Sequence, residues 1–330
     1  MSRNADRWYL GHERSIKARD KGGINLGNKR KKGVSPKAGS AVKNLTAAAY
    51  KAPEVMVKIP KRKSNASGMK AAKNHIDYIS RNGKVELEDQ DGNVHKGKKQ
   101  IHDNILHSWK SLGIPEESKY RETLNVVLSM PPGTPHEAVK NAAREFAKDV
   151  FKEHQYAFAL HTDEKHPHVH ICVTMRNIYG ERMNPRKNDL HTWRVLFAEK
   201  MRDQGVECAA TKRVHRGQWQ KGVSSEIHHI TKRNAPSYVT QEQLQDLVEA
   251  LKYRKPPNNP ALKQQLDARD FVVEQYKILS QLLYKEGLKT EARAIKQLAQ
   301  ELSGKQPETK AQQAYKEAKQ QLDKQPKFER

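Results

Sequence analysis

The stretch YAFALHTDEKHPHVHICVTM, residues 156–175, predicts two β-strands joined by a short polar turn. Successive side chains of a strand point to opposite faces, so His168 and His170 project together while Val169 projects the other way. If the turn closes a hairpin, His161 lies opposite His168 or near it, and three imidazoles meet. Three nitrogen ligands that leave one position open are the arrangement a catalytic divalent cation needs. The stretch therefore predicts a metal site on one face of a hairpin whose other face is buried.

Two other residues of the turn have alternative interpretations. Asp163 is placed either to accept a ring N–H from a ligand histidine or simply to form the turn. His166, just before Pro167, either shares the ligand face or is a turn residue. A lone histidine at a turn is usually a surface residue, but three at these offsets favour ligation. Imidazole alone does not choose the ion, and Zn²⁺, Mn²⁺, Co²⁺, Ni²⁺ and Mg²⁺ are all candidates. Of these, Mg²⁺ or Mn²⁺ is the ion that we expect.

The sequence around the hairpin alternates strand and helix signals in the order βα(α)βαββα. This order predicts an α+β fold, a two-layer sandwich with a mainly antiparallel sheet. Its helices are expected on one face, which leaves the other face free for chemistry. The run EDQDGNVHKGKK, residues 88–99, is expected to be a polar loop. The remaining predicted strands are 55–60 and 123–130, and the predicted helices are 69–82, 101–112, 136–152 and 190–204.

Composition divides the chain into four parts. Residues 1–54 form a basic extension that is expected to be flexible, since 28–33 (NKRKKG) has no hydrophobic period. Such an arm either aids solubility or tethers phosphates. Residues 55–222 form the compact domain and residues 223–260 a linker that includes Pro and Asn clusters. Residues 261–330 are rich in Lys and Gln, with Leu and Ile at helical spacing, and are expected to be helical.

The net charge of the chain suits a polyanionic partner. Lys and Arg number 62 against 38 Asp and Glu, which gives a formal charge of +24. Two cysteines are too few for a disulfide framework or a four-cysteine zinc site. The sequence shows neither an apolar run of ~20 residues nor an apolar signal core at the N-terminus. We therefore expect a cytoplasmic protein without membrane insertion.

The run KAAKNHIDYISRNG, residues 70–83, follows the first predicted strand and contains the candidate nucleophile. Tyr78 lies at the edge of the apolar stripe of the predicted helix, where a tyrosine is more often a core-edge residue. A metal face on a basic protein suggests phosphate chemistry, which needs either a nucleophilic side chain or a bound water, and chain order points to Tyr78. Spacing alone leaves both interpretations of Tyr78 open.

Three runs together resemble the ordered motifs of DNA relaxases, the HUH-type endonucleases of conjugative and mobilisable plasmids. They are NHIDYISRNGKVELE (74–88), LNVVLSMPPGTP (124–135) and FALHTDEKHPHVHICVTMRN (158–177). The similarity is greatest to the P-type mobilisation branch, which includes the Ti-plasmid endonuclease of T-DNA borders. It extends over residues 55–217, about half of the chain, and its histidine motif is the most specific part.

The resemblance implies roles for several residues. Tyr78 would be the nucleophile, the metal ligands would be His161, His168 and His170, and Asp163 would be the acidic residue of the histidine motif. The expected DNA contacts are Ser129, near the nick, and Lys73, Arg81 and His166, although a solvated helix face equally explains Lys73 and Arg81. Many relatives carry Asn where this chain has His166, which leaves open a fourth ligand or a DNA contact.

The resemblance further implies a site- and strand-specific nickase that acts on single-stranded or melted DNA at a plasmid transfer origin. It would form a covalent 5′-phosphotyrosine intermediate, rejoin ends, and pass into the recipient cell as a protein–DNA adduct. Accessory relaxosome proteins and a type IV secretion coupling protein are the implied partners. The alternatives are a rolling-circle replication initiator or HUH transposase, and a non-catalytic basic nucleic-acid-binding module with a structural metal.

Overall fold

The computed structural model divides the chain into two compact units. The first comprises residues 1–211 and 278–295, and the second comprises residues 212–277 and 296–330. The residues that the structure describes are 3–16, 34–61, 65–220, 222, 227, 230, 232–233 and 238–324. The basic run 28–33 therefore lies outside the described residues.

A six-stranded sheet, in the order β1-β4-β6-β5-β2-β3, forms the centre of the first unit. Every neighbouring pair is antiparallel. The α+β class and the antiparallel sheet are thereby confirmed. The strands are β1 Met56–Lys58, β2 Leu87–Asp89, β3 Val94–His95, β4 Thr123–Ser129, β5 Tyr156–His161 and β6 His168–Thr174.

Helices precede, connect and follow the strands. The C-terminal region is helical, as expected, and among the described residues no helix combines the length and hydropathy of a membrane span. The helices are α1 Arg3–Leu10, α2 Ser40–Ala49, α3 Gly68–Ile79, α4 Lys98–Ile101, α5 His107–Ser111, α6 His136–Val150, α7 Lys187–Asp203, α8 Tyr238–Lys252, α9 Leu262–Lys285, α10 Lys289–Gly304 and α11 Lys310–Lys324. A π-helical segment, His102–Leu106, joins α4 to α5, and a 3₁₀ turn spans Arg213–Arg216.

Helices pack against both faces of the sheet, so the expectation of one free face is wrong. On the histidine face, the segment from α3 to α5 buries its apolar stripe against β5 and β6, around residues such as Ile76, Trp109 and Ala159. On the opposite face, α6 and α7 contribute a cluster of aromatic rings that includes Phe146 and Phe197. The reason is elementary: an amphipathic helix that follows an edge strand has to cover its apolar stripe, and the sheet is the nearest apolar surface.

The described parts of the N-terminal extension are packed helices rather than the expected flexible arm. Tyr9 of α1 is fully buried, and its hydroxyl donates a hydrogen bond of 2.6 Å to the carbonyl of Ala210. The carboxylate of Asp6 accepts the backbone N–H groups of Gly39 and Ala41 at 2.8 Å, which caps the start of α2. The linker predicted at 223–260 likewise contains α8. The domain limits themselves stay a prediction.

The predicted polar loop contains the short hairpin of β2 and β3. The Asp89 carboxylate accepts the N–H groups of Asp91 and Asn93 at 2.9 Å, which holds the turn. Strands of three and two residues are too short to show an alternating pattern, so composition alone suggested a loop.

Both ends of α3 are fixed by a close approach of backbone to backbone. At Gly68, with φ +51°, a Cβ atom would lie 2.3 Å from the carbonyl oxygen of Glu116. At Gly83, with φ +87°, a Cβ atom would lie 2.2 Å from the backbone nitrogen of Lys98. Only glycine fits such positions without displacing the neighbouring chain. The helix that carries Tyr78 is therefore held in place at its start and just beyond its end.

Candidate active site

Three histidine side chains converge on one face of the β5–β6 hairpin. His161 lies directly opposite His168, and His170 lies opposite Ala159. The ring centroids are 5.3 Å apart for His161 and His168, 5.0 Å for His168 and His170, and 4.6 Å for His161 and His170. One nitrogen from each ring lies within 4.8 Å of the others. The convergence that strand alternation predicts is thus present in the structure.

Hydrogen bonds orient two of the three rings. The Nε2 of His161 donates to the carbonyl of Ile79 at 2.7 Å, and the Nδ1 of His168 donates to the carbonyl of His166 at 2.9 Å. The Nδ1 of His170 is buried and has no hydrogen-bond partner. A metal-bound histidine generally donates a hydrogen bond from its second ring nitrogen, as His161 and His168 do here, and this bond fixes the tautomer and the orientation of the ring.

Burial favours the neutral form of two of the rings, those of His161 and His170. Burial, followed by the charges of His161 and His168, lowers the pKa of His170 to about 3. Burial also lowers the pKa of His161, although the hydrogen bond to the carbonyl of Ile79 acts in the opposite direction. Neutral imidazoles keep the lone pairs that a cation requires. The donor set, including the unpartnered Nδ1 of His170, therefore fits a divalent cation with an open position.

Tyr78 lies on the same side of the sheet as the histidines. Its ring centroid is 5.7 Å from that of His170, with the two planes 86° apart. The side chain is 53% exposed, whereas its neighbours Ile76 and Ile79 are fully buried. Packing of the apolar stripe of α3 onto the sheet thus carries the phenol to the edge of the helix, beside the imidazole cluster.

Arg81 connects the tyrosine helix to the histidine turn. Its backbone is left-handed, with φ +52°, and its guanidinium lies 5.2 Å from the centre of the Tyr78 ring. The same guanidinium donates to Asp163 at 2.6 Å and lies 3.3 Å from Nδ1 of His161. Asp163 therefore pairs with Arg81, and the ring N–H of His161 goes to the carbonyl of Ile79 instead of to Asp163. Sequence reasoning had no means of seeing a pair separated by 82 residues.

The other predicted residues lie around this centre. Ser129 ends β4 directly opposite His168, half-buried on the histidine face. His166 is exposed in the turn and contributes its carbonyl to His168. Lys73 lies on the outer surface of α3, where its ammonium is 3.4 Å from the carboxylate of Asp77. Ser129 thus adjoins the cluster, whereas Lys73 faces away from the buried stripe of its helix.

His75 belongs to the site although the sequence interpretation passed over it. Its ring stacks on Tyr78 at 6.1 Å and approaches His170 at 6.5 Å. Burial, followed by the charge of His161, lowers the pKa of His75 to about 4, and its Nε2 is buried without a hydrogen-bond partner. The position three residues before Tyr78 on a helix was the available signal, because such residues share one face.

The fold and this site define a class of protein. Residues 78–206 match the MobA/VirD2-like relaxase nuclease domain, and the match begins at the tyrosine beside the histidine cluster. The antiparallel sheet, the histidine cluster and the adjacent tyrosine accompany this match, so this part of the chain is similar to a relaxase nuclease domain of the HUH type.

Similar proteins are T-DNA border endonucleases named VirD2. The protein of Rhizobium rhizogenes is 29% identical over 172 residues, which is 46% of this chain and 39% of the relative. That of Agrobacterium fabrum is 30% identical over 165 residues, or 44% of this chain and 36% of the relative. That of Rhizobium radiobacter is 29% identical over 181 residues, or 48% and 42% respectively. The chain thus aligns with about two fifths of the length of these relatives.

Proposed function

We propose that this protein nicks one strand of DNA at a plasmid transfer origin and holds the new 5′ end on Tyr78. The principal support is the position of the Tyr78 ring, 5.7 Å from His170 and beside two further imidazoles, within a relaxase nuclease domain. The relatives are endonucleases of T-DNA borders, which supports DNA as the substrate. The net charge of +24 suits the same polyanion.

The proposed reaction is a reversible transesterification. The Tyr78 oxygen loses its proton and attacks phosphorus in line, while the bond from phosphorus to the 3′ oxygen breaks and that oxygen gains a proton. A divalent cation on His161, His168 and His170 supplies Lewis-acid polarisation of the phosphate when bound. Because one phosphate ester replaces another, a free 3′-hydroxyl can reverse the step and rejoin the ends without ATP.

Residues around the cluster are proposed to place the DNA. Arg81 presents a guanidinium between Tyr78 and His161, where it favours a phosphate. Ser129 lies opposite His168 on β4, and His166 lies in the turn just before His168; both are proposed to contact nucleotides near the nick. Asp163 holds Arg81 in place, and Lys73 supplies charge at the surface of α3.

The proposed setting follows from the same family. The substrate is single-stranded or melted plasmid DNA, and the proposed partners are accessory DNA-binding proteins and a type IV secretion coupling protein. The protein is proposed to act in the cytoplasm of the donor cell and to enter the recipient as the protein–DNA adduct.

Trapping the covalent intermediate tests the proposal. We expect the full chain, mixed with single-stranded transfer-origin DNA and Mn²⁺, to give a slow band that resists SDS on a denaturing gel. Tyr78→Phe should abolish this band because the attacking oxygen is absent. Tyr120→Phe is the matched control, since Tyr120 is also 53% exposed but lies outside the site.

Two outcomes would overturn the assignment. An undiminished adduct in Tyr78→Phe would exclude Tyr78 as the nucleophile. If the protein binds DNA in a salt-sensitive way but forms no adduct with any tested transfer-origin sequence and any candidate metal, the protein is a binding module instead. Sequencing the 5′ end of the trapped DNA would identify the nick site.

A further inference from the structure

Two rows of side chains cross the histidine face of the sheet from β5 to the edge strand β1. The register aligns Met56, Ser129, His168 and His161 in one row. The neighbouring row contains Lys58, Val127, His170 and Ala159. Since paired residues of neighbouring strands point to the same face, the rows that contain the histidines also contain Met56 and Lys58.

The part of these rows on β1 and β4 stays open. Met56 is 44% exposed and Lys58 is exposed, whereas Val57 between them is 2% exposed and lies on the opposite face. On β4, Val127 and Ser129 are half-buried, although Leu128 between them is completely buried. We call Met56, Lys58, Val127 and Ser129 the edge strip.

Neighbouring backbone anchors the strand at the margin of the edge strip. The N–H of Val55 donates to the carbonyl of Ala209 at 2.9 Å, and the N–H of Ala209 donates to the carbonyl of Pro53 at 2.9 Å. The carboxylate of Glu54 accepts both the N–H and the hydroxyl of Thr211. The apolar side chain of Met56 is thus exposed to solvent on an anchored strand, and packing within the fold does not explain this exposure.

The chemistry of the edge strip fits an unpaired DNA strand. Strands lie ~4.8 Å apart, so Met56 is about 10 Å from His168, within the span of the nucleotides that flank a phosphate at the cluster. The thioether of Met56 adapts to the face of a base, and the ammonium of Lys58 attracts a phosphate. The edge strip contains no acidic side chain, and the nearby carboxylate of Asp163 is already paired with Arg81.

We propose that the edge strip seats the nucleotides beside the scissile phosphate, with Met56 against a base and Lys58 on the backbone. This inference rests on the proposed function, because it places the scissile phosphate at the histidine cluster. It adds a direction of approach: the unpaired strand enters across β1 and β4 and reaches the cluster through Ser129.

Salt-dependent binding tests the contact of Lys58. In a Tyr78→Phe background, which prevents cleavage, the affinity of the full chain for a single-stranded transfer-origin oligonucleotide is measured at several salt concentrations. Loss of one phosphate contact in Lys58→Gln should make the slope of log K against log salt shallower by about 0.7. Lys152→Gln, at an exposed lysine two residues beyond the end of α6, should keep the parent slope.

Photo-crosslinking tests the contact of Met56. A photo-reactive amino acid in place of Met56 should crosslink to a nucleotide adjoining the nick, and one in place of the exposed Ile178 should not. If the wild-type chain forms the adduct but the Lys58→Gln slope is unchanged and the two crosslinks are alike, the edge strip is refuted while the nuclease stands. If no adduct forms but slope and crosslink behave as expected, the edge strip binds DNA and the proposed reaction is wrong.

Discussion

The two faces of the central sheet differ in what their side chains do. On one face, His161, His168 and His170 form a polar cluster beside an exposed tyrosine. On the other, Phe146 and Phe197 of the covering helices lie within a cluster of aromatic rings and are completely buried. Because neighbouring residues of one strand serve opposite faces, β6 contributes to both. The difference teaches that one short segment can supply chemistry and stability to separate surfaces.

The pKa values on the two sides also differ in direction. On the histidine face burial lowers the pKa of His170 to about 3, whereas behind the other face burial raises the pKa of Glu199, on α7, to about 7. Both shifts favour the neutral form of the group, since burial disfavours charge. The two layers should therefore lose stability at opposite ends of the pH range.

The largest expected effect belongs to the histidine face. His168→Ala removes one of three proposed ligands and should lower metal-dependent nicking by several orders of magnitude. Stability and salt-sensitive DNA binding should change little, because His168 is not part of the buried core. Metal titration by calorimetry measures the loss of metal binding, and a nicking assay measures the loss of activity. His136→Ala, at an exposed position of α6, is the control, and full nicking by the His168 variant would exclude the ligand role.

On the opposite face, a comparable truncation should act on stability instead. Phe197→Ala removes a completely buried ring and should lower the free energy of unfolding by about 3–5 kcal/mol. Urea denaturation measures the loss. At temperatures where the variant stays folded, nicking per folded molecule should equal that of the wild type. A strong loss of nicking in fully folded protein would show that the two faces are coupled, which would break the comparison.

The smallest expected effect concerns Glu199. Its folded pKa, about 7, lies above the ordinary value of 4.5, so its contribution to stability is complete at low pH and is lost as pH rises through 7. In the wild type the backbone N–H of Lys37 donates a hydrogen bond of 3.0 Å to the Glu199 carboxyl group. Glu199→Gln keeps an oxygen that can accept this hydrogen bond, but the new side chain cannot ionise. The wild type should therefore lose more stability than the variant between pH 5 and 8. Equal losses in urea titrations at the two pH values would contradict this origin of the shift.

Much of the fold could be predicted from residue patterns. The strands β4, β5 and β6 and the helices α3, α6 and α7 have periods long enough to identify. The hairpin of β2 and β3 was missed because its strands are too short, and α2 was missed although SAVKNLTAAA is a good helix-forming sequence. The high net charge of the N-terminal segment is typical of a flexible arm, although the segment also contains the apolar residues that its helices bury.

The candidate site was predictable where it depends on local spacing. The convergence of His161, His168 and His170 follows from alternation on one hairpin. The pairing of Arg81 with Asp163 does not, because it depends on a left-handed backbone at Arg81 and on contact between distant segments. His75 was passed over because a lone histidine on a helix gives no signal until its partners are known.

The fixed ends of α3 limit how the proposed nuclease could work. Gly68 and Gly83 lie so close to neighbouring backbone that a Cβ atom at either position would clash, which holds the segment that bears Tyr78 at its start and just beyond its end. A nucleic-acid terminus esterified to that phenol would therefore stay at a fixed position on the protein. Resealing would then require the free 3′ end to move to that position. Control of resealing would act on the movement of the DNA strand, because the helix that bears Tyr78 stays in place.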